Sequence, residues 1–272
     1  MLKEQLLNAN TGSIDLEDPT TNPNPEKIGR RLLLITATHG DEGFSIDVIK
    51  SLEVELPKQI FGYDWIIGNP EALKLYTRCI NFDLNRIAPG NATDTDYEIR
   101  RAAELVSESQ RFDSVIDIHG TVSDVGICTI VPYPKLENLF LSLCLPIKRN
   151  VIWYAKASSE KGPITQYSQQ PALEIECGPK DSPKVAQDLK NILSTAIQRI
   201  EGLQPLNIIQ SIREKEFYIV YGDCRERVER MKDFQEIEIG GEAFYPFLVN
   251  QYRGEVVCYK MKKVKFEDLF LY

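Results

Sequence analysis

Several short runs of this sequence are almost continuously apolar: RLLLITA (31–37), YDWIIG (63–68), DSVIDIHG (113–120), CTIVPYP (128–134) and PALEIECGP (171–179). Each is too short for a buried helix, and all but the first end on Gly or Pro. RLLLITA in particular shows no alternation, as expected of a strand covered on both faces. Between the runs lie segments with helical spacing. DEGFSIDVIKSLEVEL places Phe44, Ile46, Val48, Ile49 and Leu52 on one side, DYEIRRAAELVSESQRF is strongly amphipathic, and SPKVAQDLKNILSTAIQRIEGL opens on Ser182 and Pro183 as a helix start does. Alternating strands and helices predict an α/β fold, a mixed, mostly parallel sheet flanked by helices.

The pattern changes near Gly202. The stretches 207–222, 234–250 and 255–266 are rich in β-branched and aromatic residues, with no clear helix between them. They predict a smaller β-rich C-terminal domain over 203–272, following a first domain over 1–202 whose residues 1–30 read as an irregular lead-in.

The formal charge of −8 and pI near 5.1 give no basic face for nucleic acid or an anionic membrane. No run approaches the ~18 apolar residues of a membrane span, and the start lacks the pattern of a secretory signal. Six cysteines without a C-x-x-C pair suit reduced thiols, so a cytoplasmic location is expected.

The chain has two histidines, and both stand at the ends of apolar runs. His39, in THGDE, is followed three residues later by Glu42 where a strand hands over to a helix, and His119 ends DSVIDIHG. Imidazole nitrogens and a carboxylate are zinc ligands, and a close pair plus one distant ligand leaves a position for water, as in catalytic sites. In open α/β sheets such groups gather beyond the carboxyl ends of strands. A strand-end histidine serves equally well as a hydrogen-bonded loop residue, so these residues alone leave the metal open. Arg78, Asn85 and Arg86 lie in and before NFDLNRIAPGN, where arginine forks and an amide suit a carboxylate or simply face solvent. LEIECGP puts Glu174 and Glu176 on one face of a strand, where buried carboxylates are costly unless paired or working, although an edge strand would leave both solvated.

Taken in order, THGDEG, TRCINFDLNRIAPG, YEIRRAAEL, DIHGT and IECGP resemble the aspartoacylase and succinylglutamate desuccinylase family, its aspartoacylase branch most closely. The resemblance spans residues 31 to 200, with a weaker echo in YPFLVNQ (245–251). It implies a zinc carboxypeptidase-like core and one Zn2+ per chain held by His39, Glu42 and His119. It makes Glu176 the general base, Arg78 the group that polarises the scissile carbonyl, and Asn85 with Arg86 the grip on a substrate carboxylate. The implied reaction is hydrolysis of a small anionic N-acyl amino acid to a carboxylate and an amino acid. Family members often self-associate, but no stretch of this sequence specifies a homo-oligomer interface.

The sequence departs from that branch in three places. The stretch GPITQYSQQPAL (162–173) lacks the arginine that binds the aspartate side chain, and offers Gln166 and Tyr167 as substrate-binding candidates. Gly120 stands where the branch has Asn. Gln251 replaces a glutamate, and the expected tyrosine beyond it has Tyr252 and Tyr259 as candidates. The substrate is therefore expected to keep one carboxylate but to differ from N-acetylaspartate in side chain or acyl group. The alternatives are a carboxypeptidase-like peptidase on the same scaffold and a non-catalytic zinc- or ligand-binding protein.

Overall fold

The computed structural model describes residues 32–132, 134–153, 161–251 and 254–270; the lead-in expected over 1–30 lies outside them. In chain order the elements are β1 (Leu32–Thr36), α1 (Phe44–Glu55), β2 (Tyr63–Ile67), α2 (Pro70–Leu75), α3 (Leu84–Ile87), α4 (Tyr97–Ser109), β3 (Ser114–Gly120) and β4 (Gly126–Val131). They continue as α5 (Leu136–Cys144), β5 (Arg149–Ile152), α6 (Ile164–Tyr167), β6 (Ala172–Gly178), α7 (Pro183–Ile200) and α8 (Ile208–Glu214). Strands β7 (Glu216–Cys224), β8 (Ile237–Ile239), β9 (Glu242–Phe247) and β10 (Cys258–Val264) complete the order.

All ten strands form one sheet, ordered β2-β1-β3-β6-β4-β5-β7-β10-β9-β8. The first four are mutually parallel; β4 runs antiparallel to β6, and β5 and β7 then run parallel to β4. The last three strands add antiparallel pairings. This is the mixed, mostly parallel sheet that the sequence predicts. The β-rich segment after residue 202 joins it through β7, which pairs with β5.

Strand parity explains the continuous apolar runs. Leu32 and Leu34 pack with Val48, Ile49 and Leu52 of α1 and Leu189 and Leu193 of α7 on one face. Leu33 and Ile35 pack with Leu84, Ala102 and Leu105 on the other. In β3 and β6, Ile116, Ile118, Leu173 and Ile175 belong to the first cluster. Asp117, His119, Glu174 and Glu176 alternate with them and so face the opposite side.

Three elements escape sequence periodicity. Helix α5 buries polar Asn138 and Ser142 along with Leu139, Leu141 and Leu143, while Phe140 is only half-buried, so its buried face does not follow its apolar residues. Strand β5 is only four residues long. Helix α8 falls inside the segment expected to hold no helix. Asn207 caps it by accepting from Gln210 N, and none of its side chains is buried, so its apolar residues show no facing pattern. Among the described residues, no helix is long and apolar enough to cross a membrane.

The segment 78–83 is irregular but anchored. Fully buried Glu98, in the first turn of α4, accepts hydrogen bonds from Asn69 Nδ2 at 2.7 Å, Ile80 N at 2.9 Å, Asn81 N at 2.7 Å and Phe82 N. Hydrogen bonds to a charged acceptor each contribute about 1.5–3 kcal/mol. Glu98→Ala is expected to lower urea-unfolding stability by at least about 3 kcal/mol. A loss below about 1 kcal/mol would contradict this anchoring role.

Candidate metal and active site

Strand β1 is followed by Ala37, which holds a left-handed φ of 50°, a conformation that costs a non-glycine residue free energy and clusters at functional sites. The chain then turns along the sheet's carboxyl edge. Gly40 sits so close to α2 that a Cβ there would lie 2.1 Å from Ala72 C, so only glycine allows the approach. This turn presents His39 and Glu42, while β3 delivers His119 at its own carboxyl end. The three are 2–3% exposed, and their donor atoms all lie within 4.8 Å of one another.

Each ring has its two nitrogens in different roles. Nδ1 of His39 lies 2.8 Å from Glu42 Oε1, and Nδ1 of His119 lies 3.2 Å from Glu42 Oε2. The two Nδ1 atoms are 3.3 Å apart. On the far side, His39 Nε2 meets Asp83 Oδ1 at 3.1 Å, and His119 Nε2 has Asp117 Oδ2 at 3.1 Å as an ion-pair contact. At His39 the Asp83 carboxylate keeps the proton on Nε2 and leaves the Nδ1 lone pair facing inward, while His119 Nε2 also lies 3.2 Å from Asn85 Nδ2. Donors bound tetrahedrally to zinc at about 2.0–2.1 Å lie about 3.3 Å apart, so this donor set fits the ion.

Neighbouring groups fix the three in place. Glu42 Oε2 also accepts from Gly120 N at 2.9 Å. Gly120 has no room for a side chain, because a Cβ would lie 2.6 Å from the Phe44 ring and 2.9 Å from Lys180 Cβ. Asp117 accepts from Thr38 Oγ1 at 2.8 Å. Asp83 connects the histidines to the arginine: its Oδ2 accepts from Arg78 Nε and Nη2 at 3.1 and 2.9 Å, and its Oδ1 also receives Asn85 N at 2.9 Å. Arg78 Nη1 stands 3.5 Å from Glu42 Oε1.

Glu176 pairs in register with His119 on one side and with Cys128 on the other. Burial, reinforced by the Glu42 carboxylate, pushes its carboxyl up to about 8. Burial also pushes Glu174 up. Against burial, the histidines hold Glu42 well below the usual carboxylate range, and His39 with Arg78 does the same for Asp83. The imidazoles move the other way, His39 held up by Glu42 and Asp83 and His119 by Asp117 and Glu42, again against burial.

These groups line a cavity of about 970 Å³. His39, Glu42, His119, Arg78, Asn85, Arg86 and Glu176 all reach its wall, and so do Gln251 and Tyr259. Gln251 accepts from Val122 N at 2.9 Å and from Thr121 Oγ1, tying the C-terminal segment to the loop after His119. Tyr259 packs against Trp153 with ring centroids 4.4 Å apart and the rings tilted by 58°; Tyr252 lies outside the described residues. Gln166 and Tyr167 are not among the lining residues. Gln166 folds against Gly162, where a Cβ would sit 2.2 Å from its Oε1, and Tyr167 packs on the core beneath the sheet.

Asp83, Asp117 and Glu98 escape the sequence reading. Asp117 had a signal, an Asp-x-His pair two apart on one face of a buried strand. Asp83, two residues before Asn85, had none stronger than proximity.

In metal-free protein the raised groups bind protons more tightly when folded. Glu176 and the two histidines therefore contribute stability below their unfolded values of 4.5 and 6.5, and this is lost as pH climbs through their folded values. The depressed carboxyls, Glu42 and Asp83, contribute above their unfolded values, so they oppose this trend only at acid pH. Lys215, which burial pushes down to about 7, opposes the raised groups in part by recovering stability as pH rises above that value. Chelator-treated protein is expected to melt at lower temperature at pH 8.5 than at pH 5.5; a rising profile would contradict these shifts.

Residues 28–202 match the family model of the succinylglutamate desuccinylase/aspartoacylase catalytic domain. The human N-acyl-aromatic-L-amino acid amidohydrolase (carboxylate-forming) is 22% identical over 279 positions, covering 87% of this chain and 86% of that protein. A probable aspartoacylase of Prochlorococcus marinus is 31% identical over 191 positions, covering 64% of this chain and 63% of that protein. Murine aminoacylase 3 shares the fold at a TM-score of 0.69 and 18% identity, covering 86% of this chain and 95% of that one. Succinylglutamate desuccinylase from Chromobacterium violaceum does so at 0.62 and 16%, covering 87% and 85%. With its catalytic core matched by the family model, the chain belongs to the succinylglutamate desuccinylase/aspartoacylase family.

Proposed function

We propose that the protein is a zinc-dependent amidohydrolase that cleaves an N-acyl amino acid to a carboxylate and a free amino acid. The observation that carries this reading is the convergence of His39, Glu42 and His119 beside Glu176 and Arg78 in one cavity. The amidohydrolase and aspartoacylase names of the relatives support it.

His39 and His119, each through Nδ1, and Glu42 through its carboxylate would hold the ion. When bound, zinc supplies Lewis acidity, polarising the amide carbonyl and acidifying water so that it attacks near neutral pH. Glu176 takes the proton of the attacking water and returns it to the amide nitrogen as the C–N bond breaks. Its buried position next to His119 suits it for both transfers. Arg78, aimed by the Asp83 fork, donates to the oxygen on which charge develops. Arg86, which donates to Asn85 O at 2.9 Å, holds the substrate carboxylate in place beside Asn85.

The far wall of the cavity comes from the C-terminal strands, with Val220, Leu248, Val256 and Tyr259 facing Ile130 and Trp153. This wall covers the site over a small substrate and disfavours an extended peptide. Those side chains are apolar, and the stretch 162–173 lacks the arginine of aspartate-specific relatives. The substrate therefore carries one gripped carboxylate and a group less acidic than the aspartate side chain.

The purified protein is expected to hold about one zinc per chain. Glu176→Gln keeps the metal but loses hydrolysis by about 100-fold or more; equal activity would mean that another group is the base. Arg78→Ala lowers kcat by about 100-fold to 1,000-fold, and an unchanged kcat would remove it from the oxyanion's surroundings. In a hydrolysis panel, N-acetylaspartate is slower than N-acyl amino acids with uncharged side chains; if it clearly outran them, the pocket has been misread.

A further inference from the structure

Glu174 is a buried carboxylate that the reaction above does not use. It lies on β6 in register with Asp117 of β3 and Ile130 of β4, two residues before Glu176 and on the same face. It lines the cavity and is 6% exposed. Its Oε1 accepts from Thr165 Oγ1 at 2.9 Å, which fixes the side chain. Its Oε2 has no hydrogen-bond partner among the described residues, yet it is not one of the atoms sealed from solvent. That oxygen therefore opens into the cavity.

Glu174 also lacks a cation. The cavity contains Arg78, Arg86 and Lys161, but among the described residues no arginine or lysine is within ion-pairing distance of Glu174. Arg78 is committed to Asp83 and Glu42. His119, and more weakly Arg86, are near enough to be felt by the carboxyl, but neither hydrogen-bonds to it. A buried carboxylate without a partner cation is unfavourable, and burial pushes this one up. A cationic ligand group entering the cavity would relieve that cost.

Position matters as well. Thr165 and Gln166 occupy the stretch in which aspartate-specific relatives carry an arginine, and here Gln166 is turned onto Gly162. The side-chain end of the pocket thus offers a carboxylate oxygen in place of a guanidinium.

We infer that Glu174 is a specificity-determining residue that selects N-acyl amino acids with a cationic side chain, pairing its free oxygen with the substrate's ammonium group. This rests on the hydrolase reading above. A substrate with a carboxylate at Arg86 and an ammonium at Glu174 meets opposite charge at both ends. An acidic side chain meets repulsion at the same point, and rejection by an unpaired buried charge is a strong discriminator.

The test compares Nα-acetyl-L-lysine with N-acetyl-L-norleucine, which has the same chain without the ammonium, using the zinc-loaded full chain. The wild type should show kcat/KM at least tenfold higher for the lysine compound. Glu174→Gln should cut that ratio tenfold or more, and Glu174→Asp should keep a preference for the cation. A wild-type ratio near one overturns the proposal, as does a ratio that Glu174→Gln leaves unchanged. Equal losses on both compounds would make Glu174 structural and overturn it too. Failure of the wild type to hydrolyse any N-acyl amino acid would instead overturn the hydrolase reading, and this proposal with it.

Discussion

Burying two imidazoles and several carboxylates at the end of one sheet imposes a charge balance on the rest of the structure. Glu42, Asp83 and Asp117 surround the two histidines, and Arg78 is the cation in contact with this group. With neutral imidazoles and ionised carboxylates, the group is short of two positive charges. One divalent cation would balance it, and protons on the histidines do so in its absence. The raised imidazoles and depressed Glu42 and Asp83 are the metal-free form of that same requirement.

Backbone features deliver these groups. The parallel register of β3 and β6 sets His119 beside Glu176 and Asp117 beside Glu174, on the face opposite the α1–α7 layer. The turn after β1 brings His39 and Glu42 to the same point because Gly40 allows contact with α2. Glu98 holds the 80–82 backbone, and Asp83 then locks Arg78 to His39. The groups proposed to bind the metal and the oxyanion are thus joined through one carboxylate. Changes at Asp83 should therefore disturb both functions together, as outer partners of metal ligands generally do.

Much of this was legible before coordinates. Continuous apolar runs gave β1, β3 and β6, because strands covered on both faces need no alternation, and helical spacing gave α1, α4 and α7. The two histidines stood at the strand ends where ligands gather. What was not legible depends on three-dimensional partners. Asp83 acquires its role only when Arg78 and His39 fold onto it. Helix α5 buries polar Asn138 and Ser142 beside its leucines, and α8 has no buried side chain to impose a period. Gln166 and Tyr167 were selected by position in the chain, whereas the nearby side chain that opens into the cavity is Glu174, which the sequence shows only as one of two glutamates on a strand.

X-ray absorption at the zinc edge of the purified protein tests the central claim most directly. The account predicts a first shell of nitrogen and oxygen atoms alone at about 2.0–2.1 Å, with the outer scattering of two imidazoles. Sulfur at about 2.3 Å, implicating the chain's cysteines, or a shell without imidazole, would contradict it.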